Sequence, residues 1–201
     1  MRKKIISDIL TLEWEMFSVV RNQGGKAPCQ EDQKTFNLMR SSQAEVWSEK
    51  LLQSYHDHLV QARSQNRNLM TEKYARMMES TFPEEYNKFA GSLPKIDINT
   101  LELIEKIVKV HLQWKYDLAA RYPRLNKRGR VISTKEDSPS ATSFETYLRG
   151  ELRTYSPEAV QHYYDMSMEY LDKGENLEET YLRNVIKKSG FESLDEAEKR
   201  S

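Results

Sequence analysis

SFETYLRGELRTYS, Ser143 to Ser156, has a fainter echo earlier in the chain, TFNLMRSSQAEVWS, Thr35 to Ser48. Each stretch opens on a small hydroxyl residue and a Phe, carries an Arg one turn in (Arg149, Arg40), and ends on an aromatic followed by Ser (Tyr155-Ser156, Trp47-Ser48). The correspondence extends outward at a constant shift of 108 residues. Phe36 meets Phe144, Ser48 meets Ser156, Gln53 meets Gln161, Tyr55 meets Tyr163, Asp57 meets Asp165, and Asn68-Leu69 meets Asn176-Leu177. Upstream the shift shrinks. Trp14 then meets Trp114, Asn22-x-x-Gly25-Lys26 meets Asn126-x-x-Gly129-Arg130, and Glu31-Asp32 meets Glu136-Asp137. No single match carries weight, but their common order predicts an internal duplication. One unit covers about residues 1–93 and its partner about 97–201, packed with pseudo-two-fold symmetry as one helical domain over 1–201.

Helical periodicity runs through both halves. Ile5, Ile9, Leu12, Met16 and Val20 recur at three- and four-residue steps, which predicts a helix over 3–21. Asn22-Gln23-Gly24-Gly25 would stop it, because Asn and Gly tolerate the left-handed conformation. Further helices are expected over 33–47, 49–63, 69–79 and 83–89. Others are expected from an Asn99 cap to Tyr122, over 144–155, 157–174 and 177–188, and as a short last helix from Ser193. Residues 126–142 read as a long loop. Ser48 and Ser156 read as N-caps, and Thr142 to Glu145 and Ser193 to Glu196 as capping boxes. No alternating strand pattern or hairpin dipeptide interrupts this. The expected fold is all-α, with about eight to ten helices.

Composition narrows the function classes. The 31 Lys and Arg balance the 31 Asp and Glu, which removes the electrostatic argument for nucleic acid or an anionic membrane. The hydrophobic fraction, 38%, is low, but 11 Tyr, 6 Phe and 3 Trp supply large buried areas, so a folded chain is expected. The single cysteine, Cys29, precludes an internal disulfide. No apolar run reaches the length of a membrane span, and Asp8 and Glu13 interrupt a signal-like N-terminus. A cytoplasmic location is the simplest expectation.

No motif fixes a reaction, a cofactor or a catalytic residue. The candidate ligand-binding residues are Lys26 and Arg130 of the Asn-x-x-Gly-basic loops, together with Arg40, Glu72, Arg76, Glu145, Arg149 and Tyr155 on helices. A glycine lets the backbone approach a ligand, and the cations can pair with phosphate or carboxylate. Gly24-Gly25-Lys26 lacks the spacing and following hydroxyl of a Walker loop. Glu72 and Arg76, and Glu145 and Arg149, are each four apart and share a helix face. They read either as surface ion pairs or as part of a buried polar network around a cleft. Glu31-Asp32 and Glu136-Asp137 read more simply as helix N-terminal carboxylates than as metal ligands. The four histidines make no metal signature, and no metal site is expected.

Three stretches resemble an uncharacterised bacterial family, domain of unknown function 4125. They are EWEMFSVVRNQGGKAPCQEDQKTF from Glu13, NLMTEKYARMM from Asn68, and SFETYLRGELRTYS from Ser143. Lys26 stands where the family pattern has Arg. The resemblance implies a bacterial source but no activity or catalytic residues. It also implies association, in some genomes, with a nucleotidyltransferase-like domain, and hence an accessory role in modifying a small molecule. Two functions follow as expectations. One is a small-molecule-binding or enzymatic domain with a polar cleft between the repeats, taking an anionic or zwitterionic ligand. The alternative is a helical interaction module that docks a partner enzyme through an exposed aromatic patch.

Overall fold

A computed structural model describes residues 1–21 and 25–201, and the regular structure among the described residues is helical, with no strand. Asn22, Gln23 and Gly24, on which the first helix-stop signal and the first Asn-x-x-Gly loop rest, lie outside the described residues. Eleven α-helices are described: α1 Arg2–Phe17, α2 Gln33–Ala44, α3 Glu49–Ser64, α4 Leu69–Thr81, α5 Pro83–Phe89, α6 Ile98–Arg121, α7 Pro123–Lys127, α8 Phe144–Leu152, α9 Pro157–Asp172, α10 Leu177–Lys188 and α11 Leu194–Arg200. This exceeds the expected eight to ten. The additional element is the one-turn α7, started by Pro123 at the first helical position, in a stretch too short to show periodicity.

Side chains set most of the boundaries. Asp32, Ser48, Asn68, Ser143, Ser156, Asn176 and Ser193 each accept a hydrogen bond from the backbone N–H three residues on, satisfying a donor that the first helical turn leaves free. α6 is capped by Asp97 and not by Asn99: the Asp97 carboxylate accepts from the Thr100 N–H and hydroxyl. α1 ends at Phe17 and not at residue 21, although Val20 is still buried. A side chain meets carbonyls at and just beyond its end, since the Gln30 amide donates to Phe17 O at 2.9 Å and Val20 O at 2.8 Å.

The core is built from both ends of the chain. α1 packs on α2, α3 and α4, while α6 packs on α8, α9 and α10. Across the middle, α3 meets α9, α2 meets α10 and α4 meets α8. At the α3–α9 crossing Trp47, Tyr55, Tyr155 and Tyr163 form one aromatic cluster. The Tyr55 and Tyr155 ring centroids are 4.4 Å apart. A smaller apolar cluster, Ile186, Leu194 and Ala197, holds α11 against α10 and α7.

The α4–α8 contact depends on Gly150. A Cβ there would lie 2.8 Å from Met77 Cγ and 3.3 Å from the Lys73 carbonyl oxygen. Gly150→Ala should therefore cost about 1–3 kcal/mol by overpacking, despite the better helix propensity of Ala. Chemical denaturation of the variant measures this, and an unchanged midpoint would mean the helices part freely.

Candidate functional site

Inside the bundle lies a set of charges that the apolar stripes of their helices would not forecast. Glu13 falls between Leu12 and Met16 on the buried face of α1 and is fully inaccessible. Lys73 lies between Leu69 and Met77 on α4, and Glu151 between Leu148 and Leu152 on α8; both are 2% exposed. Arg40 of α2 joins them. Its Nε donates to Glu13 Oε2 at 2.7 Å, its Nη2 to Glu13 Oε1, and its Nη1 to Glu151 Oε1 at 3.0 Å. Lys73 Nζ donates to Glu151 Oε2 at 2.6 Å and lies 3.6 Å from the Tyr147 ring centroid. The hydroxyls of Tyr55 and Tyr155 donate to Glu13 and Glu151, at 2.7 and 2.8 Å. Two carboxylates thus face two cations, with the remaining lone pairs met by phenols, which is the condition under which buried ions are tolerated.

The charge states follow from the geometry. Burial alone would raise the Glu151 carboxyl, but Arg40 and Lys73 outweigh it and hold the group well below the usual carboxylate range. Burial likewise opposes the charge on Arg40, yet Glu13 and Glu151 keep its affinity for protons well above normal. Lys73 is raised in the same way, burial being offset by Glu151. Tyr55 and Tyr155 are pushed up, first by burial and then by the adjacent carboxylates, so both stay neutral donors.

This network floors a cavity of about 480 Å³ lined by parts of α2, α4, α6, α7, α8 and α10. Its volume falls in the range of small-molecule sites. Phe36, Tyr74, Phe144, Tyr147 and Tyr181 supply aromatic wall, and Arg40, Lys73 and Glu151 reach it from below. Tyr74 is pushed up to about 12, by burial and then by Tyr147, and presents a neutral phenol. Lys115 and Arg130 also line the cavity. Among the described residues neither has a carboxylate within ion-pair distance. Lys115 lies over the Phe144 ring, and Arg130 over the Tyr147 ring while donating to the Thr142 carbonyl at 3.1 Å. The carboxylates on the wall are differently placed: Glu151 is held by Arg40 and Lys73, Glu178 by His111, and Asp32 caps α2.

The residues singled out in the sequence separate into three groups. Arg40 and Arg130 line the cavity, with Asn126 and Gly129 of the same Asn-x-x-Gly-basic loop, and Tyr155 supports Glu151 from behind. Arg76 and Arg149 lie elsewhere, on a second cavity of about 230 Å³. Arg149 pairs with Glu105 at 2.8 Å and Glu145 at 2.9 Å, and Glu145 also accepts from the Thr134 N–H. Glu72 pairs with Arg67 and not with Arg76, while Lys26 is exposed and off the cavity wall. Cys29 is exposed and lines the main cavity. Among the described residues no His, Cys, Asp and Glu cluster could hold a metal ion. The paired acidic positions serve the backbone: Asp137 accepts from Ser143 N–H at 2.6 Å, and Glu136 from Ser133 N–H.

The sequence reading missed Glu13, Lys73 and the His111 group as site elements. Each interrupts an apolar stripe with one ionisable residue, and that interruption is the available signal. His111, fully buried, contacts Glu178 through Nδ1 at 2.7 Å and the Ser167 hydroxyl through Nε2 at 3.1 Å. The order Ser, His, Glu resembles a hydrolytic triad, but Ser167 is fully buried, donates to the Tyr163 carbonyl and does not line the cavity. A nucleophile must reach its substrate, so this trio is a structural clamp between α6, α9 and α10.

A family model described as "Protein of unknown function (DUF4125)" matches residues 3–199. No curated protein and no solved structure matches the chain.

Proposed function

We propose that this chain, which belongs to the DUF4125 family of proteins of unknown function, binds an anionic small molecule with a flat, apolar body. One observation carries the reading. In the main cavity the carboxylates are already paired or capping a helix, while among the described residues the two cations Lys115 and Arg130 have only aromatic faces and a carbonyl as partners. The charge left over for a ligand is positive, and the surrounding wall is aromatic. A carboxylate or phosphate would meet Arg130 and Lys115, and the rings of Phe36, Phe144 and Tyr181 would cover its apolar part. This narrows the anionic-or-zwitterionic expectation to an anion.

The same reading includes the duplication. It is supported by the correspondence of Ser48 and Ser156, and of Asn68 and Asn176, as caps, and by equivalent Gln53–Asp57 and Gln161–Asp165 hydrogen bonds. The Asn68 amide donates to Met16 O and the Asn176 amide to Trp114 O, tying each helix start to the long helix of its own half. Packing of α1 on α3 has its counterpart in α6 on α9, and α2 on α10 in α8 on α4. On this view the cavity lies where the two units meet. Its floor has diverged, since Glu151 faces Gln43, the residue at the matching position of the other unit.

The docking-module alternative asks for clustered exposed aromatics. The large apolar side chains exposed among the described residues, such as Val19, Met39, Val60, Ile98 and Leu171, come from several elements, and Tyr116 is the one aromatic among them. Among the described residues no helix is long and apolar enough to cross a membrane.

The test is a thermal-shift and calorimetric screen against aromatic carboxylates, nucleotides and sugar phosphates. A ligand that binds the folded state raises Tm by mass action. The expected result is a shift with an anionic aromatic class, weakened about tenfold or more in Lys115→Gln and in Arg130→Gln, since one charge-assisted contact contributes about 1.5–3 kcal/mol. Binding confined to cationic ligands, or an anion unaffected by both substitutions, would overturn the reading.

A further inference from the structure

The second cavity, between α4 and α8, has a different character from the first. Its wall carries three arginines, Arg76, Arg149 and Arg153, against one carboxylate, Glu79. Arg149 is engaged by Glu105 and Glu145, and Arg153 by Glu79. Arg76 is 7% exposed and has no carboxylate partner among the described residues; its Nη2 donates to the Pro94 carbonyl at 2.7 Å. The Nε of Arg76 and the Nε of Arg153 are both buried without a hydrogen-bond partner among the described residues. Buried donors are rarely left unmade, and a buried guanidinium without an anion is costly. The nearby hydroxyls of Ser80 and Thr146 are turned to Asp137, so the donors remaining for a ligand are guanidinium N–H groups.

We propose that this smaller cavity is a separate binding site for a compact oxyanion of the phosphate class, held by Arg76 and Arg153. The Nε groups have no surface open to a ligand, so the contacts fall to the guanidinium ends: Arg76 Nη1 and Arg153 Nη2 make no hydrogen bond among the described residues, and two such ends match the several acceptors of a phosphoryl group better than they match a single carbonyl. The site shares no lining residue with the larger cavity. It therefore does not depend on the reading of that cavity. The shared chemistry has two sources, free phosphate or a phosphate monoester on a larger molecule.

The test is titration of the full chain at low ionic strength with inorganic phosphate and, separately, phenyl phosphate, each against matched chloride, followed by calorimetry and phosphorus NMR. Saturable binding of either is expected, weakened at least tenfold by Arg76→Gln and by Arg153→Gln. Arg76→Lys, which keeps charge but loses the fork, should fall between. Binding of inorganic phosphate identifies the free ion as sufficient, and binding of phenyl phosphate alone assigns the monoester. Circular dichroism confirms that each variant is folded, and Arg153→Gln keeps the test open where Arg76→Gln does not fold. Absence of saturable binding by both probes would overturn the proposal. So would binding that survives Arg76→Gln and Arg153→Gln but disappears in Arg130→Gln, because the anion would then occupy the main cavity.

Discussion

Glu151→Gln should be among the most destabilising single substitutions in this protein, at about 3–5 kcal/mol, because it removes the charge that two buried cations share. Among the described residues Lys73 has one ion-pair partner, Glu151, and Arg40 would keep only Glu13. The shape of the side chain is nearly unchanged, so packing contributes little and the loss reports the charge. Urea unfolding measures it as a lower midpoint at constant slope. A paired substitution separates the worth of the network from the penalty of breaking it. Glu151→Gln with Lys73→Met removes one charge of each sign and should recover a large part of the loss, since a neutral pair leaves no ion uncompensated. A drop under about 1 kcal/mol for Glu151→Gln alone would mean that the cations rearrange to solvent.

The same carboxylate gives the acid limb of stability its sign. The Glu151 carboxyl is held below its ordinary value of 4.5 in the folded chain, so the unfolded chain binds more protons as pH falls past that value. The contribution is complete above about pH 5 and is lost as pH falls toward the lower folded value. Glu151→Gln should flatten that limb. On the alkaline side Tyr55 and Tyr155 are raised above their ordinary value of 10.0, so the unfolded chain releases those protons first and stability falls as pH rises past it.

Trp47→Ala should cost a similar amount, about 3–5 kcal/mol, by a different route. Trp47 is 2% exposed and meets Tyr55, Tyr155 and Tyr163 in edge-to-face or tilted contacts at 5.3, 6.2 and 6.2 Å. Its indole Nε1 has no hydrogen-bond partner among the described residues, so the loss is of packing and not of a bond. The void would open where α3 meets α9, between rings that also support Glu13 and Glu151 through their hydroxyls. Trp47→Phe should recover most of the stability, since a smaller ring still fills the cluster edge-on. Thermal unfolding of the two variants checks this, and equal losses would locate the contribution in the indole nitrogen.

Helix positions were legible in the sequence to the extent that their causes are local. Ser48 and Ser156 cap the helices their types predict, because capping is a matter of three residues, whereas the box expected to begin at Thr142 is replaced by a cap one residue on, at Ser143. Proline at the start of a five-residue helix left no periodic pattern, so α7 read as loop. The site was legible only in part. Arg130 stood out in its Asn-x-x-Gly-basic loop, and Arg40 and Tyr155 in the two echoing stretches, and they fall on or behind the main cavity. Glu72 and Arg76 share a helix face but take partners elsewhere in the chain, Arg67 and the Pro94 carbonyl, so spacing alone could not assign them. Glu13 pairs with Arg40 from another helix, and Lys73 with Glu151 across the middle of the chain. No window of sequence contains both members of either pair. What each window does contain is a charge inside an apolar stripe, which marks a buried partner without naming it.

The most direct measurement is a crystal structure of the chain with the tightest anion from the binding screen. Ligand density is expected in the cavity of about 480 Å³, with the anionic group within hydrogen-bond distance of Arg130 and Lys115 and the apolar body among Phe36, Phe144 and Tyr181. A ligand seated on the outer surface, or one whose anionic group turns away from both cations, would contradict it.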